Sequence, residues 1–255
     1  MADRSLEGRH ALITGGGTGI GAATAELLYA AGAKISLLGR RMEPLQDVAR
    51  RVGGAASSCD VSIPESITAA FEESRAVNGP IDLLIVNAGI AESAPFHRMS
   101  RESWNRIIGI NLTGAFDTVQ AGLPDLLKAE DARVVFIASV ASLRGVPYAA
   151  HYAASKHGLL GLMRSMAAEY ARSKMTVNAV CPGYVDTPMT NQSVARVSEI
   201  TKRGEEDARS AITNMNASGR LVDPVAIANL VLVLCLPLSR DINGAAVTID
   251  GGTSA

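Results

Sequence analysis

Two stretches of the chain set a tyrosine four residues ahead of a lysine: Tyr152-Ala-Ala-Ser-Lys156 and Tyr170-Ala-Arg-Ser-Lys174. On a helix, positions i and i+4 share a face, so either pair could hold an ammonium group beside a phenol. That combination suits carbonyl chemistry. A ketone accepting hydride develops alkoxide character and needs a proton from a nearby acid. An ordinary phenol, with a pKa of about 10, holds its proton too tightly for efficient exchange near neutrality. A neighbouring lysine cation favours the phenolate, and a shift of about two units corresponds to roughly 2.7 kcal/mol. A hydroxyl is also wanted to polarise the carbonyl; Ser139 and Ser142 both qualify by type. Spacing alone does not separate the two tyrosines.

The elements that must position these residues alternate along the whole chain. Short β-rich runs at 11–14, 34–38, 55–58, 81–86, 133–138, 176–180 and 246–249 are separated by helical patterns at 19–31, 43–51, from Pro64, and at 101–127, 151–172 and 224–236. Continuous apolar strands between helices predict an α/β protein: a three-layer α/β/α Rossmann fold with a doubly wound, seven-stranded parallel sheet, in a single domain over 1–255. In such a layer a strand's carboxyl end and the next helix's amino end lie on the same edge of the sheet. The fifth strand ends at Ala138-Ser139 and the following helix begins near His151, which puts Tyr152 and Lys156 on that edge. Tyr170 and Lys174 lie about five helical turns away, at the opposite edge. Topology therefore selects Tyr152 as the general acid/base.

Thr14-Gly15-Gly16-Gly17-Thr18-Gly19-Ile20-Gly21 follows the first strand and opens the first helix. Glycines there permit a tight turn and let the backbone approach a pyrophosphate. At the end of the second strand a dinucleotide fold usually places an acid on the adenosine ribose. Here that position carries Arg40 and Arg41. An arginine can hold a 2′-phosphate with charge-assisted hydrogen bonds worth about 1.5–3 kcal/mol. If Arg40 points inward, NADP(H) is favoured as cofactor, with NAD(H) the alternative; otherwise both arginines are the solvated start of the next helix.

The spacing Gly15-x-x-x-Gly19-x-Gly21, the Tyr152/Lys156 pair and Asp250-Gly251-Gly252 together resemble the short-chain dehydrogenase/reductase family over nearly the whole chain. The resemblance implies that Gly15, Thr18, Gly19, Ile20 and Gly21 hold the cofactor and that Asp60 and Val61 contact adenine. It makes Ser139, thirteen residues before Tyr152, the polarising hydroxyl, and leaves Ser142 to the loop. It gives Lys156 a bond to the nicotinamide ribose, and Asn111 a water-mediated proton relay to Lys156. Asn87-Ala88-Gly89 matches a family element in which Val86 replaces a further asparagine, and Thr18 stands where the family often has a basic residue. Pro182, Gly183, Val185 and Thr187 match the loop that faces the nicotinamide carboxamide.

The polar segment 189–220, with Lys202-Arg203-Gly204-Glu205-Glu206-Asp207 in its middle, reads either as a solvated helix pair or as a mobile substrate lid; its place after a strand's carboxyl end favours the lid. Similarity around Tyr152–Gly158, 178–189 and 201–222 to β-ketoacyl and polyketide ketoreductases and to 3-hydroxyacyl-CoA dehydrogenases implies a 3-oxoacyl/3-hydroxyacyl thioester substrate. Cyclic or aromatic ketones and alcohols are the alternative. A catalytically silent NADP(H)-binding regulator is the reading from another class, but it would be expected to lack one of Asn111, Ser139, Tyr152 or Lys156.

Composition narrows the partners. Hydrophobic residues make up 47% of the 255, charged residues 19%, and net charge is −1, so nothing points to nucleic acid or an anionic membrane. No apolar run reaches spanning length, the first eight residues carry no signal-peptide core, and a cytoplasmic protein is expected. Cys59, Cys181 and Cys235 are odd in number and widely spaced, which suits neither a disulfide framework nor a metal site. His151 and His157 are assigned structural or rim roles, and His97 either touches substrate or is simply exposed. By resemblance, a homotetramer is expected to pack through 101–127, 151–172 and the last strand.

Overall fold

The computed structural model describes residues 4–202 and 204–255. Its strands are β1 (His10–Thr14), β2 (Lys34–Gly39), β3 (Ala55–Ser58), β4 (Leu83–Val86), β5 (Ala132–Ile137), β6 (Met175–Pro182) and β7 (Ala246–Ile249). They form one sheet in the order β3-β2-β1-β4-β5-β6-β7, and every neighbouring pair is parallel. The helices are α1 (Gly19–Ala30), α2 (Met42–Val52), α3 (Pro64–Asn78), α4 (Arg101–Ile108), α5 (Gly114–Leu126), α6 (Ala150–Glu169), α7 (Pro188–Thr201), α8 (Glu205–Thr213) and α9 (Pro224–Cys235).

The strand sequences explain the layering. β1, β4, β5 and β6 are buried at every position, as a mostly apolar parallel sheet covered on both faces requires, with His10, Thr14, Arg133, Thr176 and Asn178 the polar residues among them. Successive side chains point to opposite faces, so Leu84 and Phe136 join one core with Phe71, Leu160 and Met163. Ile85 and Val135 join the other, with Leu28 and Val231. Burying each such side chain contributes about 1.5–3 kcal/mol. Between β1 and β4 the strand order reverses. The loops leaving their carboxyl ends diverge there and open a crevice, where folds of this kind bind ligands.

Two departures from the sequence expectations affect the site. The helix expected at 101–127 is interrupted by a π turn at Gly109–Thr113, which contains Asn111. Such turns insert one residue into the helical ladder and recur at functional sites. α6 ends at Glu169, leaving Tyr170 as its C-cap, so Tyr170 and Lys174 do not share a helix; Lys174 pairs with Glu130 instead. The segment 189–220 carries α7 and α8, with Lys202 in the left-handed conformation (φ +58°) after α7. Arg203 and the first three residues lie outside the described residues. A parallel bridge between Val185 and Val222 closes the α7–α8 segment at its base, and Val194, Ala208 and Ile212 give it a small apolar core. Among the described residues no helix is long and apolar enough to cross a membrane, and no His/Cys/Asp/Glu group could hold a metal. All three cysteines are free and buried.

Candidate active site

The carboxyl ends of β1 to β4 open onto a groove of about 450 Å³. Gly15, Thr18, Gly19 and Ile20 line it from the first turn, Arg40 and Arg41 from the end of β2, and Asp60 and Val61 from the end of β3. Asn87, Ala88 and Gly89 line it from the end of β4, and Thr187 from the loop before α7. Gly21, Pro182, Gly183 and Val185 stand outside this lining. Pro182 pairs with Ile249 of β7, and Val185 with Val222.

The glycine turn has physical reasons for its composition. Gly15 sits at φ +66°, a region that side chains with a Cβ rarely adopt. A Cβ on Gly21 would stand 2.3 Å from the Gly15 carbonyl oxygen, so α1 can start flush against the turn only with glycine there. Asn87 fastens this turn to β4: its Nδ2 donates to the carbonyls of Thr14 and Gly15 at 2.9 and 3.2 Å. Thr14 Oγ1 in turn accepts the N–H groups of Asn87 and Ala88, each at 3.0 Å. α1 begins without a side-chain cap and without an acid in its first turn. Its leading amide N–H groups are thereby left for an anion, with the helix dipole favouring one. A tight glycine cradle under an uncapped helix end fits a dinucleotide pyrophosphate. At the far end of the groove, Asp60 is held below the usual carboxylate range chiefly by the Ser62 hydroxyl at 2.7 Å; burial opposes, and Arg40 is close enough to add to the lowering.

Ser139, Tyr152, Lys156 and Asn111 gather past the ends of β4 and β5. Ser139 follows β5 in extended conformation, and its Oγ accepts the N–H of Ala141 at 3.1 Å. Tyr152 lies in the first turn of α6. Burial raises the pKa of its phenol, the nearby Ser139 hydroxyl pulls it down, and the phenol of Tyr184 pushes it up. Lys156, one turn further on, is buried and donates from Nζ to the Ile137 carbonyl at 2.9 Å. Burial lowers its pKa from 10.5 to about 8. Its Nζ is 5.8 Å from the centroid of the Tyr152 ring. Burial is the largest influence on the phenol, and the ammonium of Lys156 is turned to a main-chain carbonyl.

Asn111 spends its side chain on the frame. Its Oδ1 accepts the N–H of Ile90 and its Nδ2 donates to the Ile90 carbonyl, both at 2.9 Å, with Ser155 Oγ at 3.2 Å. Gly89 marks where the parts meet, because a Cβ there would lie 3.3 Å from Asn111 Oδ1 and 3.7 Å from Lys156 Nζ. Ser142 is buried, and its Oγ meets no partner among the described residues.

Residues outside the sequence expectations complete the surroundings. Glu92 accepts from Ser103 Oγ at 2.7 Å and from Arg106 at 2.8–2.9 Å, tying the loop after β4 to α4. Burial alone would raise its pKa; those bonds and the charges of Arg106 and Arg196 bring it down. Tyr148 takes φ +63° while its carbonyl accepts the Ala94 N–H at 2.7 Å, clasping two loops that flank Tyr152. Tyr184 lies inside a turn whose neighbours were recognisable, so its position was signalled although its role was not. Asn216, whose side chain holds the main chain of Tyr184, carries no local signal.

Comparison with known proteins follows the same pattern. The sequence profile described as short chain dehydrogenase matches residues 9–198. Oxidoreductase UcpA of Salmonella typhimurium is 36% identical over 258 residues, covering 98% of this chain and 95% of that protein. The 3-oxoacyl acyl-carrier-protein reductase FabG of Aquifex aeolicus is 35% identical over 253 residues, 97% of this chain and 98% of its own. Among solved structures, levodione reductase superposes with a TM-score of 0.92 at 32% identity, covering 97% of this chain and 98% of that one. A variant of actinorhodin polyketide ketoreductase with NADPH gives 0.92 at 33% identity over 99% of each chain.

Proposed function

Because the chain belongs to the short-chain dehydrogenase family, oxidoreductases that interconvert a ketone and a secondary alcohol, we propose that Tyr152 is its general acid/base. Ser139 then polarises the carbonyl, and Lys156 and Asn111 support the tyrosine. The observation that carries this reading is the gathering of Asn111 and Lys156 against Gly89 on one sheet edge, with the Ser139 hydroxyl near enough to the Tyr152 phenol to lower its pKa. A nicotinamide cofactor, when bound, supplies or accepts the hydride. The two hydroxyls act on the substrate oxygen: Ser139 donates to it, and Tyr152 Oη delivers the proton as negative charge develops. Donors fixed in a water-poor site stabilise that charge without having to reorganise. Burial keeps the phenol protonated in the reductive direction; in the oxidative direction the Ser139 hydroxyl supports the phenolate. Lys156, with a pKa of about 8, can exchange protons near neutrality. Asn111 fixes Ile90 and Ser155, and with them the distance between the β4 loop and α6.

NADP(H) is the proposed cofactor. Arg40 and Arg41 line the adenosine end of the groove, where a 2′-phosphate would sit, and the polyketide ketoreductase neighbour is a structure with NADPH. Gly15, Thr18, Gly19, Ile20 and Gly21 would cradle the pyrophosphate, and Asp60 and Val61 the adenine. Asn87, Ala88, Gly89, Pro182, Gly183, Val185 and Thr187 would hold the nicotinamide end. The proposed substrate is a 3-oxoacyl thioester, supported by likeness to FabG and to a polyketide ketoreductase. The α7–α8 segment is the proposed lid within one domain. Exposed Phe116 and Leu127 on and beside α5 suit the homotetramer that the family resemblance implies, with the enzyme working in the cytoplasm.

The test is a turnover matrix crossing NADPH and NADH with acetoacetyl-CoA, a cyclic ketone and an aryl ketone. Fastest turnover is expected for NADPH with acetoacetyl-CoA. Equal or better rates with NADH would remove the cofactor assignment. Brisk reduction of the simple ketones beside an inert thioester would reverse the substrate order.

A further inference from the structure

Tyr184 belongs to two parts of the molecule at once. Its ring packs on the apolar core of the α7–α8 segment, formed by Val194, Ala208 and Ile212. Tyr184 follows the carboxyl end of β6, whose Val180 carbonyl accepts the N–H of Ala138, the residue before Ser139, at 2.8 Å; it therefore stands on the sheet edge that carries Ser139, within electrostatic reach of the Tyr152 phenol. Burial raises the pKa of Tyr184 itself, and the guanidinium of Arg144, in the loop between Ser139 and α6, opposes that rise.

The side chain of Asn216 holds Tyr184 in this place. Asn216 is 1% exposed. Its Oδ1 accepts the N–H of Tyr184 at 2.9 Å, and its Nδ2 donates to the carbonyls of Tyr184 and Arg220, both at 2.8 Å. A carboxamide has one acceptor oxygen and two donor hydrogens, and here each of the two donors has a partner. By pairing with both main-chain groups of one residue, it fixes that residue's direction as a neighbouring strand would. The N–H of Val222 also donates to the Tyr184 carbonyl, at 2.8 Å, beside the Val185–Val222 bridge. Tyr184 is thus pinned from the segment's carboxyl-terminal end, while its ring reaches forward to the segment's core.

We propose that Asn216 is a positioning residue for the carbonyl substrate: by fixing the main chain of Tyr184 it sets the tyrosine ring between the α7–α8 core and Tyr152, and so sets the bulk of substrate admitted to the acid/base. The inference rests on the activity proposed above and extends it to a determinant of substrate size.

The experiment measures kcat and KM for a series of carbonyl substrates of increasing bulk, and the NADPH dissociation constant by nicotinamide fluorescence. The wild type is compared with Asn216→Ala, Asn216→Asp, Tyr184→Ala and Tyr184→Phe. Removing the clamp or the ring is expected to raise KM for the smallest carbonyl about tenfold and to flatten the dependence on bulk, with NADPH affinity changed less than about threefold. Tyr184→Phe retains the ring and is expected to keep most of the size discrimination that Tyr184→Ala loses. Asn216→Asp keeps the acceptor but sets an oxygen against the carbonyls of Tyr184 and Arg220, and is expected to lose size discrimination at least as far as Asn216→Ala. Tyr184→Ala tests the role should the Asn216 variants fail to fold. An unchanged size profile in Tyr184→Ala or Asn216→Asp, or a loss confined to NADPH affinity, would overturn the proposal. A wild type that turns over no carbonyl would instead overturn the activity on which it rests.

Discussion

The imidazole of His151 accepts the main-chain N–H of Tyr152, the nitrogen of the residue after it, at an Nδ1 to N distance of 2.9 Å. An accepting Nδ1 means a neutral ring with its proton on Nε2, and that Nε2 is buried without a partner among the described residues. Burial lowers the His151 pKa; Glu92 opposes, and Arg196 and Arg106 reinforce. Since the folded value lies below the ordinary one, the unfolded chain takes up the proton first as pH falls. Stability is therefore complete above about pH 6.5 and is lost below it. His10 shifts in the same direction and adds to the same acid limb. His151→Asn, whose Oδ1 could accept the same N–H, should melt more nearly alike at about pH 7 and pH 5 than the wild type does. Parallel acid limbs in thermal melts would count against this account.

Tyr152→Phe should abolish turnover while leaving NADPH binding, read by fluorescence, nearly intact. Tyr170→Phe is the matched control, because Tyr170 caps the far end of α6, about 27 Å along the helix axis, and Lys174 is engaged with Glu130. Turnover of the first variant at the wild-type rate would remove Tyr152 from the chemistry.

Lys156 combines a proposed catalytic role with a stability cost. Its pKa falls from 10.5 to about 8 in the folded chain, so burial of the cation opposes folding below about pH 8 by roughly 3 kcal/mol. Between those values the unfolded chain binds the extra proton, and stability rises with pH. Lys156→Met should lower kcat at least a hundredfold, an order-of-magnitude expectation for loss of a proton-transfer partner. It should also melt no lower than wild type at about pH 7, the lost bond to Ile137 being worth about 1–3 kcal/mol. That advantage should vanish above about pH 10.5, where the wild-type lysine is neutral in both states. A variant that melts well below wild type at neutral pH would contradict the sign.

Arg40→Asp should lower kcat/KM for NADPH by about one to two decades and leave NADH little affected or improved, since a lost charge-assisted bond is worth about 1.5–3 kcal/mol. Equal losses with both cofactors would indicate damage to the groove and no contact with a 2′-phosphate.

Much of this was readable from residue order because the relevant signals are local or topological. β4 is wholly apolar and β5 and β6 are mostly so, with only Arg133, Thr176 and Asn178 polar among their buried residues, and such runs between helices admit few arrangements. Choosing Tyr152 over Tyr170 needed only the ends of β5 and α6. The π turn at Gly109–Thr113 was not readable, since one extra residue leaves the apolar period intact over so short a stretch. Nor was the ionisation of Tyr152: an i, i+4 spacing does not say which way an ammonium points, and Lys156 points at Ile137. Asn216 and Tyr184 are 32 residues apart, and only the closed α7–α8 segment brings them together.

That closure also makes the segment modular. The bridge between Val185 and Val222 joins the two ends of 186–221 at the sheet, so what lies between is a detachable cassette on a fixed socket. Doubling the length of such a loop costs only about 0.6 kcal/mol in closure entropy. Grafts from relatives that keep Thr187, spliced at these two valines, are expected to fold on the same socket without disturbing the sheet edge beneath.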